Sequence, residues 1–233
     1  SALAAKTLRL ANSSFYGVPG QVKSIAGAIT VLGLRTLRTM VMAAALTGSF
    51  RPRAGNGLDF GGFWRHSIGT AVCARLLAEA TRHDTEAAFT LGLLHDIGRL
   101  VLASCFPQAH AQMLNHQREH DAAVLESERA ILGTDHAEVG ALMAEHWRFS
   151  ADLIDAIRHH HAPKPSVGPD LAGLVHVADN IAHALDLSRL QDDAVPALCS
   201  SVWLSLGLDA EQCLQLFAQT EAQTQAVCAA LLT

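Results

Sequence analysis

A carboxylate and an imidazole sit side by side inside an apolar run, Gly92-Leu93-Leu94-His95-Asp96-Ile97-Gly98-Arg99, and no other feature constrains this chain as much. Burying an ionised carboxylate without a partner costs several kcal/mol or forces it to neutralise. A fold that encloses Leu94 and Ile97 must therefore give Asp96 an ion pair, hydrogen bonds or a metal. A lone His-Asp dipeptide can be satisfied by an ordinary hydrogen bond within a core. The chain, however, carries 13 histidines in 233 residues and no polyhistidine tag, so the surroundings of the pair decide between these outcomes.

Half of the residues are apolar and only 5% aromatic. Abundant Ala and Leu with few Val, Ile and Thr runs favour packed helices over sheet, and an all-α fold is expected. The formal net charge of -5 disfavours a nucleic-acid partner, because phosphate binding is driven by clustered Lys and Arg. No apolar run approaches the roughly 20 residues of a membrane span, and the first residues lack the layout of a secretion signal. A soluble cytoplasmic protein with no membrane partner is expected. Cys73, Cys105, Cys199, Cys213 and Cys228 form no C-x-x-C pair and read as small buried hydrophobes in a reducing compartment.

The sequence opens directly in a helical pattern with no cap before it, as if the domain began upstream of Ser1. Turn formers occupy 12–20, Ser24 is a good N-cap for a helix to Leu32, and Gly33 should end that helix before another runs from Leu34 to about Ser49. Two helices joined at Gly33 invite a helix-turn-helix reading, but core packing suits the acidic chain and the apolar second helix better. The loop Arg51–Gly57 divides an N-terminal helical lobe, 1–50, from the remainder of the chain. A helix is expected from Phe63 to about Arg82 with His66 in its first turns, and another from Glu86 to Ala103 carrying His95 and Asp96. One or two polar helices should occupy 108–132, with His110, His116 and His120 on the surface.

Asp135-His136-Ala137-Glu138 reads as a capping box, which places His136 at a positive helix end where a neutral imidazole or an anion is favoured. The helix it opens should bury Val139, Leu142, Met143 and Trp147, while His146 points away from His136. Ser150 caps the next helix, whose stripe of Leu153, Ile154 and Ile157 continues onto His160 and His161. His159, rotated by about 100° from His160, falls on the solvent side. After the stiff loop 162–169, a helix from Leu171 to Leu187 carries Asp179 at the margin of its apolar stripe. Two amphipathic segments, about 194–206 and 210–231, close the chain, with Asp209 as a cap for the second.

The inward-facing candidates are thus His66, His95, Asp96, His136, His160, His161 and Asp179, drawn from different helices. Imidazole suits Fe, Mn, Zn or Ni, and a carboxylate among imidazoles can bridge two ions. Helical bundles build such sites from side chains that project inward from facing helices.

The order His66, His95-Asp96 in LLHDIGR, His136, the His160-His161 pair and Asp179 in VHVADNIAHAL resembles the HD superfamily of metal-dependent phosphohydrolases over nearly the whole of 60–187. LAAKTLRLANSSFYG and SIAGAITVLGLRTLRTMVMA resemble its HDOD branch, a bacterial signalling output domain. The resemblance implies one domain over 1–233: a helical N-terminal lobe, an HD-type lobe and C-terminal helices over 188–233. It also implies one or two divalent transition-metal ions, Fe or Mn before Zn or Ni. His66, His95 and Asp179 would complete one metal position, His136, His160 and His161 the other, and Asp96 would bridge them. Asp96 and Arg99 are then the candidate catalytic residues for hydrolysis of a phosphoester or nucleotide.

The chain also departs from the related HD-GYP phosphodiesterases. Arg99 stands where they have Lys, Ala162 stands where an acidic residue comes after the paired histidines, and only Ser166-Val167-Gly168-Pro169 occupies the place of Gly-Tyr-Pro. These departures speak against cyclic dinucleotide hydrolysis. They keep open a second reading, a non-catalytic regulatory module that engages signalling proteins or an upstream sensory domain around a structural or vestigial metal site.

Overall fold

In the computed structural model, which describes residues 2–16, 20–49, 57–164, 168–190 and 194–232, all regular structure is helical. Two parts of the expected loops, 51–56 and 165–167, lie outside the described residues. The N-terminal lobe comprises α1 (Ala2–Ala11), a 3-10 turn (Ser14–Tyr16) and α2 (Ile25–Ser49). Asn12 ties the turn region down, its Nδ2 donating to Val22 O at 2.8 Å and its Oδ1 accepting from Val22 N at 2.9 Å. Ser24 Oγ caps α2 by accepting from Gly27 N at 3.1 Å. At Gly33 the helix is interrupted by φ 77° and ψ 156°, a conformation that disfavours any residue with a Cβ.

The second lobe begins with α3 (Phe60–Ala80), α4 (Thr85–Leu94) and α5 (Ile97–Cys105). It continues through α6 (Pro107–His120), α7 (Val124–Leu132), α8 (His136–His146), α9 (Ala151–His159) and α10 (Leu171–Ala184), and α11 (Ser200–Ser205) and α12 (Ala210–Leu231) close the chain. Helix α3 is the axis on which both cores are built. Its Phe63, Trp64, Ile68 and Val72 pack with Leu10 and Leu32 of the N-terminal lobe, Phe89 and Leu93 of α4, Ile97 and Leu100 of α5, and Val227 of α12. Its Cys73 and Leu77 join Ile157, Leu174, Val175, Ala178 and Leu216 in the other core. Lys6 Nζ and Arg9 Nε of α1 donate to the carbonyls of Leu231 and Ala230, satisfying acceptors that the end of α12 leaves open.

Several boundaries depart from the sequence expectations. Helix α3 starts at Phe60, not Phe63, because Asp59 caps it: Oδ1 accepts from Gly61 N at 2.8 Å and Gly62 N at 3.0 Å. The helix expected over 86–103 is two helices, and the His95-Asp96 pair is their joint, with Asp96 at φ -94° and ψ 10°, the bridge region between the main wells. In an unbroken helix adjacent side chains diverge by about 100°; the break lets both turn into one cavity. Of 194–206 only Ser200–Ser205 is helical. There Pro196 has no N–H to give to a helix, and the Cys199 N–H is held by His176 Nε2 at 2.9 Å.

Burial also corrects three expectations. Helix α8 buries Ala137, Gly140, Ala141 and Ala144, whereas Leu142 is 53% exposed. His110, expected on the surface, is buried; His116 is half-buried and His120 exposed. The stretch Thr85–Cys105 is apolar and long enough by composition to cross a membrane, contrary to the expectation that no apolar run is, but 78% of its apolar window is buried within the fold.

Candidate metal centre

Two close helix approaches assemble the centre, and both occur at glycines of the apolar motif. A Cβ on Gly92 would lie 2.6 Å from Ala71 Cα, so only glycine lets α4 come this near α3 and bring His95 beside His66. A Cβ on Gly98 would overlap the His136 carbonyl oxygen and lie 2.8 Å from Gly140 N. This second approach, onto the small-residue face of α8, sets Asp96 against His136.

The structure brings together all seven residues singled out from the sequence. In one group His66 Nε2 lies 3.0 Å and His95 Nε2 3.5 Å from Asp179 Oδ1, with the two ring nitrogens 3.4 Å apart. In the other, Asp96 Oδ1 lies 3.1 Å from His136 Nε2 and 3.6 Å from His160 Nε2, and His136 Nε2 faces His161 Nε2 at 2.8 Å. Within each group one ligand-type atom from every residue lies within 4.8 Å of the others. Asp96 stands between the groups, its Oδ1 3.7 Å from His95 Nε2 and its Oδ2 4.0 Å from His66 Nε2. Arg99 Nη1 donates to Asp96 Oδ2 at 3.0 Å. His159 stays outside, beside Asp155.

The outward nitrogens fix how the rings face. His95 Nδ1 donates to Gly92 O at 2.8 Å and His160 Nδ1 to Ile157 O at 2.7 Å. A carbonyl only accepts, so each ring has its proton on Nδ1 and, when neutral, presents a bare Nε2 lone pair to the cavity. His160 Nε2 and both Asp179 oxygens are buried and make no well-formed hydrogen bond, although His66 Nε2 stands 3.0 Å from Asp179 Oδ1. Acceptors so converged and so deeply buried suit a cation: such outer hydrogen bonds on ligating histidines are the usual support of a metal site.

Burial lowers the pKa of His66, of His160 and, with the neighbouring His160 and His136 rings, of His161, which favours the neutral ligating form. Burial works against ionisation of Asp96, but His95, His136 and Arg99 hold it well below the usual carboxylate range. The same opposition at Asp179 is won by His183, His66 and His95. His136 overturns its sequence expectation. Burial disfavours its charged form, yet the Glu128 and Asp96 carboxylates outweigh both that and the helix end, and push its pKa up to about 10.

The expected capping box is half present. Asp135 Oδ1 accepts from Glu138 N at 2.9 Å, but the Glu138 carboxylate pairs with Arg158 Nε at 2.9 Å instead of reaching back. Ser150 occupies its cap position without a side-chain bond. Two residues absent from the sequence reading adjoin the centre. His183 Nε2 lies 3.4 Å from Asp179 Oδ1, with its ring 4.4 Å from that of His66; its i,i+4 spacing from Asp179 was the visible signal. Glu128, 1% exposed, meets His136 from α7, and nothing in its local sequence distinguishes it from a surface acid.

The sequence model of the HDOD domain matches residues 1–163. The chain belongs to the HDOD family. Among solved structures, this HDOD chain is similar to a candidate phosphohydrolase from Shewanella amazonensis SB2B, at 31% identity and TM-score 0.74, covering 98% of this chain and 82% of that one. It is similar also to a candidate signal transduction protein from Marinobacter aquaeolei VT8, at 26% identity and TM-score 0.76, covering 98% of this chain and 51% of that one. An uncharacterized protein of Treponema pallidum (strain Nichols) is 28% identical over 162 residues, 69% of this chain. The HDOD chain spans only 31% of that relative's length.

Proposed function

We propose that this HDOD domain binds one or two divalent transition-metal ions, Fe or Mn before Zn or Ni, and hydrolyses a phosphoester with them. The observation that carries the reading is the convergence of buried acceptors: the Nε2 lone pairs of His95 and His160 and the carboxylates of Asp96 and Asp179, with His136 Nε2 and His161 Nε2 facing each other at 2.8 Å beside them. His66, His95 and Asp179 would hold one ion, His136, His160 and His161 the other, with Asp96 shared. When bound, the ions supply Lewis-acid polarisation of the phosphoryl oxygen and a more acidic water. Asp96 would balance charge at both positions, and Arg99, whose side chain is 27% exposed and pairs with Asp96, would hold Asp96 in place and receive a phosphate in its planar fork. Similarity to the candidate phosphohydrolase of Shewanella supports the reaction class.

A specific observation favours the second reading, an interaction module with a structural metal. Six of the seven residues are at most 3% exposed, and only His161 is half-buried, so substrate has little open approach. Upstream sensory domains or signalling proteins would then be the partners, in keeping with the similarity to the Marinobacter protein.

Elemental analysis of protein purified without chelators is expected to find roughly one or two transition-metal ions per chain. Absence of metal, with no uptake of added Mn or Fe, would sink the proposal. Metal-loaded protein that turns over no phosphodiester or phosphomonoester would leave the interaction module as the account. In the same assay His160→Ala and His161→Ala should lower metal content and His159→Ala should not, since His159 pairs with Asp155 outside the cluster. Equal loss in all three would refute the assignment of the histidine pair.

A further inference from the structure

Glu128 is a buried carboxylate to which the proposed chemistry gives no task. Its Oε2 accepts from the backbone N–H of His136 at 2.9 Å and from His136 Nδ1 at 2.7 Å. The adjacent Arg129 does not neutralise it; Arg129 Nη2 pairs with Asp135 Oδ2 at 2.6 Å. The reason for this arrangement lies in where the histidines stand on their helices. His95 and His160 come just after helix ends, so each finds a carbonyl three residues back, Gly92 O or Ile157 O, to hold its Nδ1–H. His136 is the first residue of α8 and has no preceding turn of its own helix to supply one. The acceptor must come from another element, and α7, joined to α8 through the left-handed turn at Gly133 (φ 71°), delivers Glu128.

We propose that Glu128 is a positioning residue: it fixes His136 as the Nδ1–H tautomer and turns its Nε2 toward Asp96, His160 and His161 to receive a metal ion. The inference rests on the proposal that His136 is a ligand. A carboxylate in this place also makes the ring a stronger ligand than a carbonyl does. The position served by His136 therefore depends on a residue of the α6–α7 hairpin, whereas His95 on the other side is oriented by a carbonyl of α4 itself.

The test is calorimetric titration of Mn2+ into the chelator-stripped full chain and its variants. Glu128→Gln keeps the shape and an acceptor oxygen but removes the charge. The ion lost in His136→Ala is expected to bind about 10–100-fold more weakly in Glu128→Gln, while the ion lost in His66→Ala keeps its affinity. Glu128→Asp, with the charge kept and one methylene removed, should weaken the same ion by a smaller factor, and it carries the test if the Gln variant does not fold. Unchanged Mn2+ binding, or equal weakening of both ions, overturns the positioning role while leaving the metal centre standing. A wild-type chain that takes up no Mn2+ overturns the ligand proposal itself, and this inference with it.

Discussion

Replacing Asp96 with Asn is expected to lower affinity for divalent metal by more than about 100-fold, beyond the loss typical of a residue that only supports a ligand, and to reduce hydrolysis of an activated phosphodiester to background. Among the described residues Asp96 is the carboxylate whose ion-pair contacts reach both groups, 3.1 Å from His136 Nε2 and 4.0 Å from His66 Nε2. An amide is a poorer cation ligand and brings no negative charge to offset the ions. The fold should survive, because an Asn side-chain oxygen can still accept from Arg99 Nη1, as Asp96 Oδ2 does at 3.0 Å. Thermal unfolding with and without Mn2+ provides a readout independent of turnover, since an ion that binds only the native state raises its stability in proportion to RT ln(1 + [L]/Kd). Wild type should gain melting temperature on adding Mn2+ and Asp96→Asn should not. An equal gain in both proteins would remove Asp96 from the metal site.

The residues of this centre were legible in the sequence because most stand where simple rules apply. His66 lies on the buried face of a helix with a clear period, and Asp179 lies beside one; His160 and His161 extend the stripe of Leu153, Ile154 and Ile157. The joint between α4 and α5 was not legible. Leu93, Leu94, Ile97 and Leu100 all fit one continuous apolar helix, no Pro interrupts that run, and its glycines Gly92 and Gly98 lie inside α4 and α5 and not at the joint. What breaks the helix is tertiary: both side chains reach the same cavity only if the backbone turns between them. The face of α8 was misread for a related reason. Leu142 looked like core by its side chain, but the helix must approach α5 too closely for anything larger than Ala or Gly.

His136 shows how one unseen neighbour reverses an electrostatic expectation. A helix N-terminus disfavours a positive charge by about 1 kcal/mol, up to about 2 kcal/mol where partly buried. A carboxylate in contact with a buried ring is the larger effect, and Glu128 Oε2 sits 2.7 Å from Nδ1. The helix end was legible because a cap motif announces it. Glu128 lies eight residues earlier in a polar segment, and only the packing of α7 on α8 turns it inward.

If the close approach of α5 and α8 builds the centre, Gly98→Ala should damage both the fold and metal binding. The added methyl would overlap the His136 carbonyl oxygen, which is backbone and cannot rotate away, and would lie 2.8 Å from Gly140 N. Overpacking of this kind typically costs about 1–3 kcal/mol and more where backbone must move, so about 3 kcal/mol is expected here. For a chain of this length that corresponds to a fall in Tm of roughly 10 °C. Separation of the helices would also stretch the 3.1 Å contact between Asp96 and His136, so Mn2+ affinity should fall at the position His136 serves. Gly27→Ala is the control: its Cβ would meet Ser24 Oγ at 3.4 Å and Val22 at 3.5 Å, ordinary contacts within the first turn of α2, and its effect should stay within about 1 kcal/mol. A Gly98→Ala protein that melts with the control and binds Mn2+ normally would show that the glycine approach is not what holds Asp96 against His136.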